Sequence, residues 1–307
     1  MYETIIIGGG PAAVAAGVYA ARKQIKTAFF ATQIGGQSVV SDGIENWIGE
    51  SMISGPDLAI KLKKHLEAQG ENIDLFIGKN VDRVEKKEDE TFMVFSGEDA
   101  YQTKTIIVCS GGRHRRLGVP GEAEFEGKGV AFCATCDAPF FKDKDVAVVG
   151  GGNSGLEAIV DLMAYAKKIY LIARRDELRG DSVTQKKIKA SDQVEIIYNS
   201  EVSKVIGNVM VEGLEYTNVK SGEKNEISVQ GIFVEIGSVP NSEIVSDIVE
   251  TDEWNNIIVN FADQTTSCPG VFAAGDVTNS PYRQNNIAAG DAIKALLSTH
   301  EYLKKNS

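Results

Sequence analysis

Ile5-Ile6-Ile7-Gly8-Gly9-Gly10-Pro11-Ala12-Ala13 stands near the start of the chain, and Val146-Ala147-Val148-Val149-Gly150-Gly151-Gly152-Asn153-Ser154-Gly155 repeats its plan near the middle. Each is an apolar run, the composition of a buried strand, that breaks on glycines and continues as a helix-forming stretch. The first helix, rich in alanine, is predicted to run through Arg22, with a strand near Thr27 to Ala31 after it. The second is predicted to run through about Ala166 and to lead into Ile169-Tyr170-Leu171-Ile172. Strand, glycine turn, helix, strand is the beginning of a βαβ unit. In that setting the first glycine permits a tight turn, the second lets backbone approach a pyrophosphate, and the helix N-terminus stabilises negative charge. One such match is weak evidence. Two in one chain, both correctly placed, predict an α/β protein of two Rossmann-like, three-layer, dinucleotide-binding domains.

Proline, glycine and charge concentrate in two short segments, Gly111-Gly112-Arg113 through Pro120-Gly121 and Gly237-Ser238-Val239-Pro240-Asn241. Read as crossings, they make the second domain an insertion: residues 1–113 and 241–307 form the first domain and 114–240 the second, hung from two hinges. The tail agrees with a return to the first domain. Gly270-Val271-Phe272-Ala273-Ala274-Gly275-Asp276 reads as a buried strand ending in Gly-Asp, and a helical pattern runs from about Asn285 to Tyr302. Gly275 would admit close approach of a cofactor, Asp276 offers an acceptor to a hydroxyl, and the helix start directs a positive dipole end at the same place.

The chain has 307 residues, 43% hydrophobic and 24% charged, which suits two soluble domains with a sizeable core in each. A net charge of -11 argues against nucleic acid as a partner, because a phosphate backbone needs Lys and Arg to displace its counterions. The apolar run after Met1-Tyr2-Glu3-Thr4 lacks the flanks and length of a signal peptide, and no stretch approaches the ~20 apolar residues that span a bilayer. A cytoplasmic protein with no membrane contact is the expectation.

Four cysteines are too few for a stapled secreted scaffold, and a spaced pair in a reducing compartment suggests redox chemistry or metal. Cys133-Ala134-Thr135-Cys136 is that pair; two cysteines so spaced can close a small disulfide ring, and a helix start would lower one thiolate pKa. Asp137 follows directly and can hold the proton that a leaving thiolate needs. Half a zinc site is the competing reading, but His65, His114 and His300 are isolated and there is no second cysteine pair. Cys109, in an apolar strand-like run, reads as a small buried hydrophobe, and Cys268, before Pro269, as an incidental loop thiol.

Taken in order, the first glycine motif, Gly35-Gly36-Gln37, Glu45-Asn46-Trp47, Val119-Pro120-Gly121-Glu122, Cys133 to Asp137, the second glycine motif, Arg174-Arg175-Asp176 with Arg179, and Gly270 to Gln284 resemble the low-molecular-weight thioredoxin reductases. Nearly as close is the flavoprotein core of alkyl hydroperoxide reductase. The resemblance implies FAD in the first domain and NADPH, with NADH as the alternative, in the second. Carried over, the FAD site comprises Gly8, Gly10, Pro11, Ala13, Thr32, Gly35, Gly36, Gln37, Asn46, Val81, Gly111, Gly275, Asp276, Arg283 and Gln284. The nicotinamide nucleotide falls to Gly150, Gly152, Asn153, Ser154, Arg174, Arg175 and Arg179. The resemblance also implies that Cys136 faces the flavin, that Cys133 attacks a thioredoxin or thioredoxin-like disulfide, that Asp137 is the acid-base group, and that the protein is a homodimer. It implies a swing of the inserted domain on its hinges.

Two departures bear on the cofactors. The acid expected ~20 residues after the first fingerprint is missing, since the second strand ends at Ala31-Thr32-Gln33, so hydroxyl or backbone groups must hold the adenosine end. In the second domain Arg174, Arg175 and Arg179 suit a 2′-phosphate by bidentate contact, which favours NADPH. Ala173 and Gly180-Asp181-Ser182 look more like the NADH-using peroxide-reductase relatives. Three other readings stay open: a glutaredoxin-like or peroxiredoxin-reducing partner, a ferredoxin-linked electron supply, and a non-catalytic flavin redox sensor.

Overall fold

The computed structural model describes residues 1–41 and 43–306. In chain order it runs β1 (Tyr2–Ile7), α1 (Pro11–Arg22), β2 (Thr27–Ala31), α2 (Gly55–Glu67), β3 (Ile73–Ile77), β4 (Arg83–Lys86), β5 (Phe92–Ser96), β6 (Asp99–Val108) and β7 (Gly112–His114). Then come β8 (Val130–Ala131), α3 (Ala134–Asp137), β9 (Asp145–Val149), α4 (Asn153–Leu162), β10 (Lys168–Ile172), α5 (Ser182–Lys189) and β11 (Val194–Ile197). The rest is β12 (Ser200–Gly207), β13 (Val211–Asn218), β14 (Lys224–Ile227), β15 (Gly231–Val234), β16 (Ser238–Pro240), β17 (Val271–Ala273) and α6 (Asn285–Lys305).

Two compact units result. One gathers residues 1–41, 47–113 and 239–306, the other 43–46 and 114–238, so the second is inserted into the first. In the first, parallel strands lie in the order β3-β2-β1-β6. β6 then serves two neighbours: its start pairs antiparallel with β5 of the β4-β5 hairpin, and its end, Ile106 to Val108, pairs parallel with β17. Strand alternation divides the core. Ile6 packs with α1 and α6, whereas Ile5 and Ile7 face Val245, Ile257 and Val277 on the other side.

The second unit has a five-stranded parallel sheet, order β11-β10-β9-β15-β8. Val146 and Val148 pack on the helix side with Ile159 and Leu162 of α4; Ala147 and Val149 face the antiparallel β12-β13-β14 sheet. Both units thus have three layers. α4 stops at Leu162, short of the predicted Ala166, because Ala164 and Tyr165 bond back three residues to Asp161 and Leu162, which tightens and ends the helix. α6 runs three residues past Tyr302.

Candidate active site

In the first unit the carboxyl ends of β1, β2, β6 and β17 open onto a groove of about 440 Å³. Its floor is the glycine turn after β1. Gly8 has φ +133°, and a Cβ there would lie 2.0 Å from the Cys109 carbonyl oxygen. Gly10 faces open space, its nearest neighbour being Gly36 Cα at 3.9 Å. α1 starts on Pro11 with no side-chain cap and no acid in its first turn, so its N–H groups and positive dipole end are available to an anion. A backbone cradle without Cβ atoms at an uncapped helix start fits the pyrophosphate of a dinucleotide.

Of the residues predicted for this site, Gly8, Gly10, Pro11, Thr32, Gly36, Gln37, Val81, Gly111, Gly275 and Asp276 line the groove. Ala13 is wholly buried behind it. Gly35 (φ +112°) shapes the loop, Arg283 donates to Asn256 Oδ1 at 3.2 Å, and Gln284 is the N-cap of α6. Asn46 is grouped with the second unit. Sequence reasoning missed Gln33, Lys79 and Asn80, which share the groove wall with Thr32 where the acidic ribose contact is lacking. Burial pushes the Asp276 carboxyl pKa up, opposed by the charge of Arg283.

The second unit repeats the cradle. Gly150 also has φ +133°, with its would-be Cβ 2.2 Å from the Glu235 carbonyl oxygen, and Gly152 has open space around it. Gly155 permits the close helix-strand approach: its Cβ would meet the Gly150 oxygen at 1.9 Å. Asn153 Oδ1 accepts the Asp181 N–H at 2.8 Å, tying the helix start to the loop before α5. Arg174, Arg175 and Arg179 are all exposed beyond β10. Arg174 pairs with Glu201 of β12 at 2.5 Å, while among the described residues Arg175 and Arg179 make no ion pair.

Cys133 and Cys136 form a disulfide, with Cα atoms 5.3 Å apart, at the start of the one-turn helix α3. Cys133 is the N-cap; its carbonyl accepts the N–H groups of Cys136 and Asp137 at 3.2 and 3.0 Å. Thr135 Oγ1 donates to Asp161 of α4 at 2.9 Å, anchoring the turn. Cys109 and Cys268 are free and buried, and burial pushes both thiols up. Such thiols are inert, so the chemistry rests on the pair.

Glu235, one residue past β15, is a site group that the sequence did not reveal. Burial pushes its pKa up to about 8, with the Ala134 backbone hydrogen bond opposing and Glu157, Asp161 and Asp137 adding to the rise. Because the folded value lies above the ordinary 4.5, its favourable contribution is complete below about pH 4.5 and lost as pH rises through about 8. The unfolding free energy of Glu235→Gln should therefore gain on the parent's as pH rises across that window, by up to about 1.4 kcal/mol per pH unit, and level off above it. A difference independent of pH in urea titrations would contradict this.

Comparison with known proteins supplies a context for these features. The family model described as pyridine nucleotide-disulphide oxidoreductase matches residues 2–292. A Bacillus subtilis protein named NADH dehydrogenase is 39% identical over 99% of this chain and 59% of its own length. A Staphylococcus epidermidis alkyl hydroperoxide reductase subunit is 37% identical over 99% of this chain and 60% of its own. The chain thus spans about three-fifths of these curated relatives. The solved structure of thioredoxin reductase from Streptococcus pyogenes matches over 99% of both chains, at 38% identity and a TM-score of 0.92. Among the described residues, no helix is long and apolar enough to cross a membrane.

Proposed function

The chain belongs to the pyridine nucleotide-disulphide oxidoreductase family, and from that premise we propose that it is a flavin-dependent reductase that passes electrons from NADPH through Cys133-Cys136 to the disulfide of a thioredoxin or thioredoxin-like protein. The observation that carries this reading is a closed Cys133–Cys136 disulfide at the carboxyl edge of one dinucleotide fold, in a chain that contains a second such fold. Residues 1–113 and 241–307 form the FAD domain in this proposal, and 114–240 form the domain that takes the nicotinamide nucleotide and carries the redox pair.

Gly8, Gly10 and the α1 start would hold the FAD pyrophosphate, Thr32, Lys79 and Val81 would flank its adenosine end, and Asp276 would accept from its ribityl chain. When bound, the flavin supplies the two-electron relay between nicotinamide and disulfide. The chain's own residues do the thiol chemistry. Two electrons and two protons open the Cys133–Cys136 bond to a dithiol. Cys133, as thiolate, attacks the partner disulfide, forming a mixed disulfide and expelling one partner thiolate. Cys136 then attacks the Cys133 sulfur, which closes the ring and releases the reduced partner. Asp137 donates and recovers the proton at the leaving sulfur.

Nucleotide choice turns on the arginines. Arg175 and Arg179, which make no ion pair among the described residues, support NADPH by bidentate phosphate contact. Replacing both by alanine should raise KM for NADPH about tenfold or more while changing KM for NADH little. Equal effects on the two nucleotides would reject that assignment. A second reading, NADH as donor and a peroxiredoxin-reducing module as acceptor, is favoured by the Arg174–Glu201 pair, which occupies one guanidinium with an acid of the protein's own. Steady-state assays pairing each nucleotide with each acceptor separate the two readings. Absence of disulfide reduction with every pairing would overturn both.

A further inference from the structure

β8 is the edge strand of the second sheet, two residues long, and it hands the chain through Phe132 directly to Cys133. Its one strand neighbour is β15. So short a ladder holds the following backbone weakly, and whatever grips Phe132 therefore decides how firmly Cys133 is placed. Two side chains of the first crossing do so. The His114 ring stacks on the half-buried Phe132 ring, with centroids 5.2 Å apart and planes at 26°. The Arg116 guanidinium carbon lies 5.0 Å from the same centroid.

Arg116 reaches further. Its Nη2 donates to Glu126 Oε1 at 2.9 Å, and its Nη1 lies 2.6 Å from Glu126 Oε2. Glu126 stands shortly before β8 and bridges to Val130. One guanidinium thus holds the chain on both sides of the edge strand, at Glu126 before it and at Phe132 after it. Arg116 is itself fixed from behind. The Arg115 N–H donates to the Gly237 carbonyl at 2.9 Å, and the N–H groups of Leu117 and Gly118 both donate to the Glu122 carboxylate at 2.8 Å. Glu122 is only 3% exposed, so these charge-assisted bonds are shielded from water. A backbone tied on either side and a planar fork closed on an acid give Arg116 one fixed pose against the ring.

We propose that Arg116 is a positioning residue for the Cys133–Cys136 couple: through Phe132 it fixes the entry to the redox turn, so that the Cys133 sulfur stays aimed at Cys136 and the closed disulfide is favoured over the dithiol. The clamp acts on ring closure. Two thiols already oriented toward each other lose less freedom when they join, and the bond they form is harder to reduce. Without the clamp Phe132 regains backbone freedom that closure must remove, and the balance moves to the dithiol. This deepens the reading of the pair as a redox couple, and rests on it.

The test needs no turnover. The flavin-loaded full chain is equilibrated without oxygen in mixtures of reduced and oxidised dithiothreitol. As Cys133–Cys136 opens to two thiols, the two thiols of the reagent close to its cyclic disulfide, and the reduced fraction is read by alkylation and mass spectrometry. Ordering one residue's backbone is worth about tenfold in an equilibrium, so R116A and F132L should each shift toward the dithiol by about that factor. R116K keeps a cation for the ring and for Glu126, and should fall between R116A and the parent. Because Arg116 acts through Phe132, the double variant should move no further than F132L alone. Urea titrations of the same proteins report folding separately. R116A and F132L that lose stability yet share the parent's thiol equilibrium to within about twofold overturn the assignment and leave the redox couple intact. So do additive shifts in the double variant. If R116A fails to fold, R116K and F132L carry the same comparison. A parent pair that never exchanges with dithiothreitol sinks both this proposal and the function on which it rests.

Discussion

Cys136→Ser should fold, bind flavin, accept electrons from the nucleotide, and reduce no disulfide. Serine cannot form the S–S bond that receives the electron pair, so turnover with a protein disulfide should fall about a thousandfold or more. Folding survives because the ring is small. With a sequence separation of 3, closing it constrains the unfolded chain by only about 2 kcal/mol, and neither cysteine belongs to the buried core. The variant also separates the two thiols. With Cys136 gone, Cys133 can still attack a partner disulfide but nothing resolves the product, so a covalent adduct with the oxidised partner should accumulate. Cys133→Ser should lose the same turnover and trap nothing. Adduct formation by Cys133→Ser alone would reverse the assigned roles.

Gly8→Ala should cost about 3 kcal/mol or more of stability, the second large effect. Two penalties add. At φ +133° an L-residue is strained, and the new methyl would sit 2.0 Å from the Cys109 oxygen. Cys109 cannot retreat, since its N–H donates to the Ile7 carbonyl at 2.7 Å beside the β1–β6 ladder. Gly10→Ala and Gly152→Ala are the informative contrasts, because neither has positive φ and neither Cβ would meet anything closer than 3.9 Å. Both should fold at least as stably as the parent. Gly10→Ala should be purified with little flavin, and Gly152→Ala should keep flavin but bind nucleotide weakly, each methyl standing where a phosphate must approach backbone. Flavin loss from Gly152→Ala alone would exchange the two sites.

The glycine turns were legible because their constraint is local: strand, turn and helix follow one another within about 30 residues and only glycine satisfies the positive φ. The same holds for Cys133-Ala134-Thr135-Cys136, where spacing alone permits a ring. Cys109 was readable as a buried hydrophobe from its apolar run, and it is 4% exposed. What the sequence hid depends on distant partners. Glu235 follows Gly-Ile-Phe-Val and reads as an ordinary strand end; only the acids of α3 and α4 around this half-buried group raise its carboxyl further. Arg174 reads as a free cation until β12 brings Glu201 beside it. Lys79 and Asn80 follow a Gly78 turn with no motif of their own, and enter the groove because β3 lies next to β2. Cys268, read as an incidental loop thiol, is buried against Val249 and Val271.

In the proposed function, nucleotide electrons reach Cys133–Cys136 through a flavin held by this chain. An anaerobic titration of the flavin-loaded protein with NADPH and with NADH, followed by flavin absorbance and repeated on Cys136→Ser, tests it most directly. The parent should take up one equivalent of nucleotide more than Cys136→Ser before its flavin stays bleached, because the disulfide fills first. Identical end points for the two proteins would place the disulfide off the electron path and overturn the proposed function.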